Sequence, residues 1–533
     1  RHVFTKRQQN AAPFCYNQTS RHRNALSKLL ELNLRLHRWL SCRRMLFFIL
    51  LIAVMILPAQ GLVLPRLVYP RLLEERSSEG RMVVRLHEDL TLNLRKASVA
   101  APELRVLTEE NGELITRFYS GSDIERDLYE DEEALATVMV MKRSSAVHVK
   151  GLVGPEHRIQ PVSVLAESEE GIVPHEIFEL DQQQFLDKTI TYRNPGQAVP
   201  GERESETEAE VPEVFYAELF VVLDTIHHRR FTSTSAALWY LCIAINGANL
   251  RFRARSSPTV KLVLTGVELS QEESYIVSSK SGYLLDEKTL EKLRDYALDR
   301  KKQYGYPDLL YLMTGRDVST YENGRITARG QGIGYLAGVC RINFVALGED
   351  NAGEFSGLHT MTHELAHVLG AMHDGDSPDG EYPGHPGAAR CPWRLGNLMS
   401  YVNRGPAHQK FSKCSVEQIR HVVRRAGREC WDLVSRGRIL RGVYPGMAVE
   451  FKEFCSTFAK SRENSTFDHA TVDKQTCKVR CFFYSFENDP YSDVTSKKVS
   501  FSYSKDALDY MPCGGQEVCI QSVCGTKPSD ENA

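Results

Sequence analysis

The segment His363-Glu364-Leu365-Ala366-His367-Val368-Leu369-Gly370-Ala371-Met372-His373-Asp374 constrains this chain more than any other feature. Residues four apart on a helix share a face, so His363 and His367 aim at one point. Gly370 follows three residues later, and glycine tolerates the left-handed backbone that ends a helix. The chain can then turn sharply and bring His373 back as a third ligand for one metal ion. Three neutral imidazoles leave a fourth tetrahedral position open, as a catalytic Zn2+ requires. Glu364 adjoins the first ligand and is expected to act as the base that takes a proton from water there. The helix is expected to pack inward through Leu358, Met361, Leu365 and Leu369. HExxH alone arises by chance in unrelated chains. The glycine and third histidine at fixed offsets make the pattern specific.

The surroundings of that segment alternate between strand and helix. Phe215–Leu223, Val260–Val267, Leu309–Met313, Ile333–Val339 and Ile342–Leu347 read as strands, Ser233–Asn249 and Leu290–Gln303 as helices. Such alternation predicts an α/β domain, a mixed sheet with packed helices, over residues 212–433. Before it, residues 62–211 combine short β-like runs (Met82–Leu86, Ala136–Met141, Val147–Val153) with a charged stretch, Glu125–Glu133, expected to be a solvated loop. Residues 194–212 are rich in Pro, Gly and Glu, too polar to bury a core, and so form a linker.

Charge and cysteine usage point to export. Among residues 1–44 there are ten Arg or Lys and one acid, Glu31. An apolar run from Met45 to Leu57 follows, then Pro58-Ala59-Gln60-Gly61. At about 1.5 Å per residue the run spans roughly 20 Å, short of the ~30 Å membrane core. Residues 45–61 are therefore expected to be a cleaved signal peptide and not a stable membrane anchor, with residues 1–44 an upstream leader. Of 13 cysteines, only Cys15 and Cys42 precede residue 242. The eleven that remain are an odd number, so disulfides leave at least one thiol free. Cys242, inside an apolar run, is the expected buried free thiol. Six cysteines fall from Cys455 to Cys524, which predicts a disulfide-stapled module over residues 434–533 with three bridges among themselves. Asn464-Ser465-Thr466 is a glycosylation sequon. The net charge of −2 excludes a general case for nucleic-acid binding.

These residues resemble a known clan. HExxHxxGxxH followed by a methionine turn is similar to the metzincins, and Asp374 after the third histidine resembles the adamalysin (reprolysin) family. Asn397-Leu398-Met399-Ser400-Tyr401 is similar to the methionine turn, with Met399 as an apolar floor. More narrowly, the cysteine-free segment 62–195, the zinc-site region and the CGGQEVCIQSVC tail resemble salivary reprolysin-type metalloproteases of ticks. The resemblance implies a secreted zinc metalloendopeptidase with a propeptide at 62–211, extracellular protein or peptide substrates, and a monomeric state. It also implies Cys340–Cys430 and Cys391–Cys414 bridges, a Ca2+ held by Glu218 and Asp308, and an edge strand over the cleft at Tyr335–Cys340. Two features depart from the family: residues 62–211 contain no cysteine to silence the zinc, and residues 194–213 contain no dibasic processing site, Arg203 standing alone. A secreted binding protein acting through its cysteine-rich tail is the competing expectation, and an intact Glu364 speaks against it.

Overall fold

The computed structural model describes residues 66–74, 81–110, 113–143, 146–162, 173–180, 211–253, 258–322, 324–327, 331–378, 380, 382, 384–433, 445–456, 465–487, 497–520 and 522–526. The expected signal peptide, most of the linker and Asn464 lie outside them. Among the described residues no helix is long and apolar enough to cross a membrane.

The N-terminal third is strand-rich. Nine strands form an antiparallel sheet in the order 66–68, 175–179, 157–161, 146–153, 136–143, 128–131, 90–96, 82–87, 71–74. Val84, Leu86, Leu92, Leu94, Val138, Val140 and Val149 alternate inward and form its core, as the period of two requires.

A second sheet packs against the helix that bears His363 and His367. Its order is Gly332–Gly334, Val345–Glu349, Leu309–Thr314, Val214–Leu223, Thr259–Leu269, Ala100–Glu110, Glu113–Ser120, Val523–Thr526, Glu517–Ile520, Pro512–Gly514. The strands from 345–349 through 100–110 run parallel, with 332–334 antiparallel at the edge. The sheet therefore crosses both boundaries drawn at 211 and 434. Strand 100–110 pairs with strand 259–269, and the hairpin it forms with 113–120 meets the tail strand at Arg117–Thr526. The tail adds a three-stranded antiparallel sheet of 466–473, 478–487 and 497–506.

The helix Thr234–Phe252, capped by the Ser233 side chain, is buried over nearly its whole circumference. A helix apolar on all sides must be covered on all sides. One side packs on strand 259–269 and on the helix Leu358–Val368, the other on strands 136–143 and 146–153. Cys242 in its middle is free and buried.

Two expectations require correction. The charged stretch Glu125–Glu133 is not a solvated loop. Leu128–Asp131 is a strand, with Glu130 and Asp131 buried. Acids are seldom buried unless paired, and here Arg253, Arg95 and Asn246 supply partners for Glu130. Nor is Tyr335–Cys340 a strand. The edge strand is only Gly332–Gly334, and Ala337 and Cys340 have φ of 55° and 59°. The N–H groups of Ala337 and Val339 donate to His367 O and Val368 O at the end of the helix Leu358–Val368, so they are not free to extend the ladder.

Candidate metal centre

The active-site helix Leu358–Val368 begins beside a buried carboxylate. Asp350 accepts from Gly357 N at 2.9 Å and meets Tyr240 Oη and His227 Nε2. The bond from Gly357 N to Asp350 Oδ1 satisfies one of the backbone donors left open at the helix start. The helix ends as its sequence dictates. Gly370 has φ of 106°, Gly370 N donates to His367 O, and Ala371 N donates to Ala366 O. Any Cβ at Gly370 would stand 2.3 Å from Val422 Cγ2, so both backbone and space demand glycine.

That turn returns His373 to His363 and His367. Their candidate ligand atoms lie within 4.8 Å of one another, and all three residues are buried. His363 Nε2 and His373 Nε2 are 3.2 Å apart. The outer nitrogens are held by oxygens: His363 Nδ1 donates to Leu398 O at 3.0 Å and His367 Nδ1 to Ala371 O at 2.6 Å, while His373 Nδ1 lies 2.7 Å from Tyr401 Oη. Donation from Nδ1 leaves a lone pair on Nε2, and lone pairs crowded at one buried point fit a cation. The donor set, three neutral imidazoles with no thiolate, suits zinc.

Glu364 is fully buried beside this point. Its side chain packs under the edge strand. A Cβ at Gly332 would come within 2.8 Å of Glu364 Cγ, and one at Gly334 within 3.4 Å of Glu364 Oε2. The glycines of Gly332-Ile333-Gly334 thus let the strand lie on the carboxylate. Met399 is buried in the same core, and its carbonyl accepts from Asp374 N. Asp374 receives a bond from Ser412 Oγ, and burial pushes its carboxyl up to about 6 against that bond and the neighbouring imidazoles. Tyr401 is the site residue that sequence reasoning passed over. It was placed in the methionine turn without a role, and only the return of the turn sets its hydroxyl on His373.

Glu218 and Asp308 are neighbours, but they do not form a metal-capable cluster among the described residues. Asp308 accepts from Glu218 N at 2.9 Å, and burial pushes its carboxyl up to about 8. Glu218 faces the buried guanidinium of Arg105. The metal-capable groups among the described residues are the three histidines and two sets containing bridged cysteines. Cys340 is bridged to Cys430 and Cys391 to Cys414. The tail pairs are Cys455–Cys481, Cys477–Cys519 and Cys513–Cys524.

Residues 240–374 match the family model of the M12B, reprolysin-like metallopeptidases. A thrombospondin-motif disintegrin and metalloproteinase-like protein of Bombyx mori is 25% identical over 66% of this chain, and the match spans 50% of that protein. The venom metalloproteinase antarease TserMP_A of Tityus serrulatus is 24% identical over 67% of this chain and 91% of its own length. The venom metalloproteinase BumaMPs1 of Olivierus martensii is 25% identical over 67% of this chain and 90% of its own.

Proposed function

We propose that this metallopeptidase, whose peptidase domain is of the reprolysin type, is exported and hydrolyses internal peptide bonds of extracellular proteins with Glu364 as its base. The observation that carries this reading is the joint placement of three outward-tied imidazoles and one buried carboxylate on a single helix and its turn. His363, His367 and His373 would hold the zinc ion, which when bound supplies the Lewis acidity that polarises a scissile carbonyl and acidifies water. Glu364 takes a proton from the attacking water and delivers it to the departing amine. An extended substrate would pair with the edge strand Gly332–Gly334, the end of the sheet nearest Glu364.

Export accords with the signal-like segment at 45–61 and with five disulfides, which persist in oxidising compartments. The precursor is taken to be cut in the polar linker 194–212, separating a propeptide from residues that begin near 212. Zinc content and chelator inhibition of the purified enzyme test the metal. Full turnover after verified zinc removal defeats this mechanism. Glu364→Gln separates hydrolysis from binding: if the biological effect survives it, the tail carries the function.

A further inference from the structure

We propose that the propeptide is not discarded on cleavage but stays bound as a second, non-covalent chain that completes the fold of the peptidase. The inference rests on the reading of 62–211 as a propeptide cut in the linker. Its evidence is the contact surface itself.

Three observations converge. First, strand 259–269 pairs on both sides, with 214–223 and with 100–110. Losing the propeptide would turn TVKLVLTGVEL into an open apolar edge, a template for aggregation. Second, Ala97, Val99, Leu104, Val106, Met139 and Leu152 of the propeptide share one continuous core with the helix Thr234–Phe252 and the active-site helix. Gly247 is spaced for this contact, because a Cβ there would meet Leu152 Cδ1 at 3.1 Å. The buried side-chain amide of Asn246 donates to two propeptide oxygens, Glu130 Oε2 at 3.0 Å and Thr137 Oγ1 at 3.1 Å. Glu130 in turn accepts from Arg253 at 2.7 and 3.0 Å.

The third observation is Arg105, a propeptide cation buried in the peptidase core. Its Nη1 donates to Tyr304 O at 3.2 Å. A Cβ built at Gly305, whose φ is 81°, would fall 1.4 Å from that same Nη1. The Tyr304-Gly305 turn is therefore shaped around an arginine from the propeptide. Acids from all three segments surround it: Glu103 of the propeptide, Glu218 of the peptidase and Asp509 of the tail. Tyr510 of the tail also bonds Glu103 at 3.0 Å. The tail strand reaches the sheet through the propeptide hairpin, at Thr526–Arg117. Removing the propeptide would open a buried hole, expose a helix face and detach the tail from the sheet.

Retention is compatible with turnover. Four strands lie between 100–110 and the edge strand over Glu364, a span of roughly 24 Å at ~4.8 Å per strand.

The test uses the full secreted chain with a site-specific protease sequence inserted in 194–212. After complete cutting, gel filtration in neutral buffer should return both pieces in one peak that hydrolyses peptides. In urea, release of the propeptide and unfolding of the peptidase should coincide. A propeptide that separates in native buffer, or at urea concentrations that leave the peptidase folded, overturns the proposal. Arg253→Ala, at the rim of the contact, should speed exchange of the cut propeptide against a labelled copy on the order of tenfold, from loss of charged bonds to Glu130. An unchanged exchange rate would count against the contact as the holding element. N-terminal sequencing of the naturally matured protein checks the linker cut separately, so failure of that reading is distinguishable from failure of retention.

Discussion

The active-site helix and the helix Thr234–Phe252 are both buried, yet they are specified in different ways. The first is fixed by neighbours in sequence: His363, His367, Gly370, His373 and the Leu398–Tyr401 turn supply its end, its ligands and their outer bonds. The second depends on distant segments, with Asn249 bonded to Leu262 of the peptidase sheet and Asn246 to Glu130 and Thr137 more than a hundred residues upstream. Chemistry here is local, and stability is not. Mutations should therefore split into those that stop turnover without loosening the fold and those that do the reverse.

The largest effect belongs to the local side. Glu364→Ala should lower kcat by about 10²–10⁴-fold while leaving bound zinc and the urea midpoint unchanged, since the histidines remain. Activity within tenfold of the parent would move the base to another residue and erase the contrast.

On the distributed side, Glu130→Ala should destabilise the protein by about 1–3 kcal/mol, because Asn246 loses one of its buried acceptors. Peptide turnover per folded molecule should not change. Urea unfolding and active-site titration read the two quantities together. An equal loss of zinc would show that the regions are coupled.

The distributed side should respond to pH as well. His175 is buried, Val149 N donates to its Nε2, and its Nδ1 lies 2.9 Å from Val173 O, so the neutral imidazole is the form that fits. Burial pushes it down to about 4, partly offset by the Val173 bond. A base held below its unfolded value contributes stability above about 6.5 and loses it as pH falls through about 4. For Glu130, burial acts to raise the carboxyl, but bonds from Arg253, Asn246 and Arg95 prevail and hold it below the ordinary range. Its contribution is likewise lost in acid, below the ordinary carboxylate range. Asp308, raised by burial to about 8, works in the opposite sense: its contribution is lost as pH rises through that value. The shared unfolding midpoint should thus fall in acid, through His175 and Glu130, and fall again as pH rises through about 8, through Asp308. Parallel profiles for His175→Gln and the parent below pH 6.5 would contradict this assignment.

The smallest effect concerns Tyr401. Tyr401→Phe removes the oxygen beside His373 Nδ1 and should weaken zinc binding by about 10–100-fold, with little change in the urea midpoint. Competition with a metal-binding dye measures it. Unaltered affinity would assign His373 its orientation from packing alone.

What was legible in the sequence follows the same division. The ligand helix, its glycine stop and the third histidine could be read because their geometry is set within eleven residues. The central parallel strands were legible as apolar runs. Tyr335–Cys340 looked like a strand for the same reason, but its N–H groups are captured by the end of the active-site helix, a partner that periodicity does not reveal. Glu125–Glu133 looked solvated because charge runs usually are; the cations that bury Glu130 are Arg253 and Arg95, separated from it in sequence. The addition of strand 100–110 to the peptidase sheet was invisible, since its partner is remote and a strand records only that it pairs, not with what.

Cys242 adds a matter of timing. It is the one cysteine outside a bridge among the described residues, whose ten others close five disulfides. During oxidation an accessible thiol is a competitor, able to capture any partner and scramble the rest. The helix that carries Cys242 packs on strands 136–143 and 146–153, which are made before it. A nascent chain that wraps this helix before its later cysteines emerge withdraws the odd sulfur from the race, and the order of synthesis itself becomes a safeguard of correct pairing.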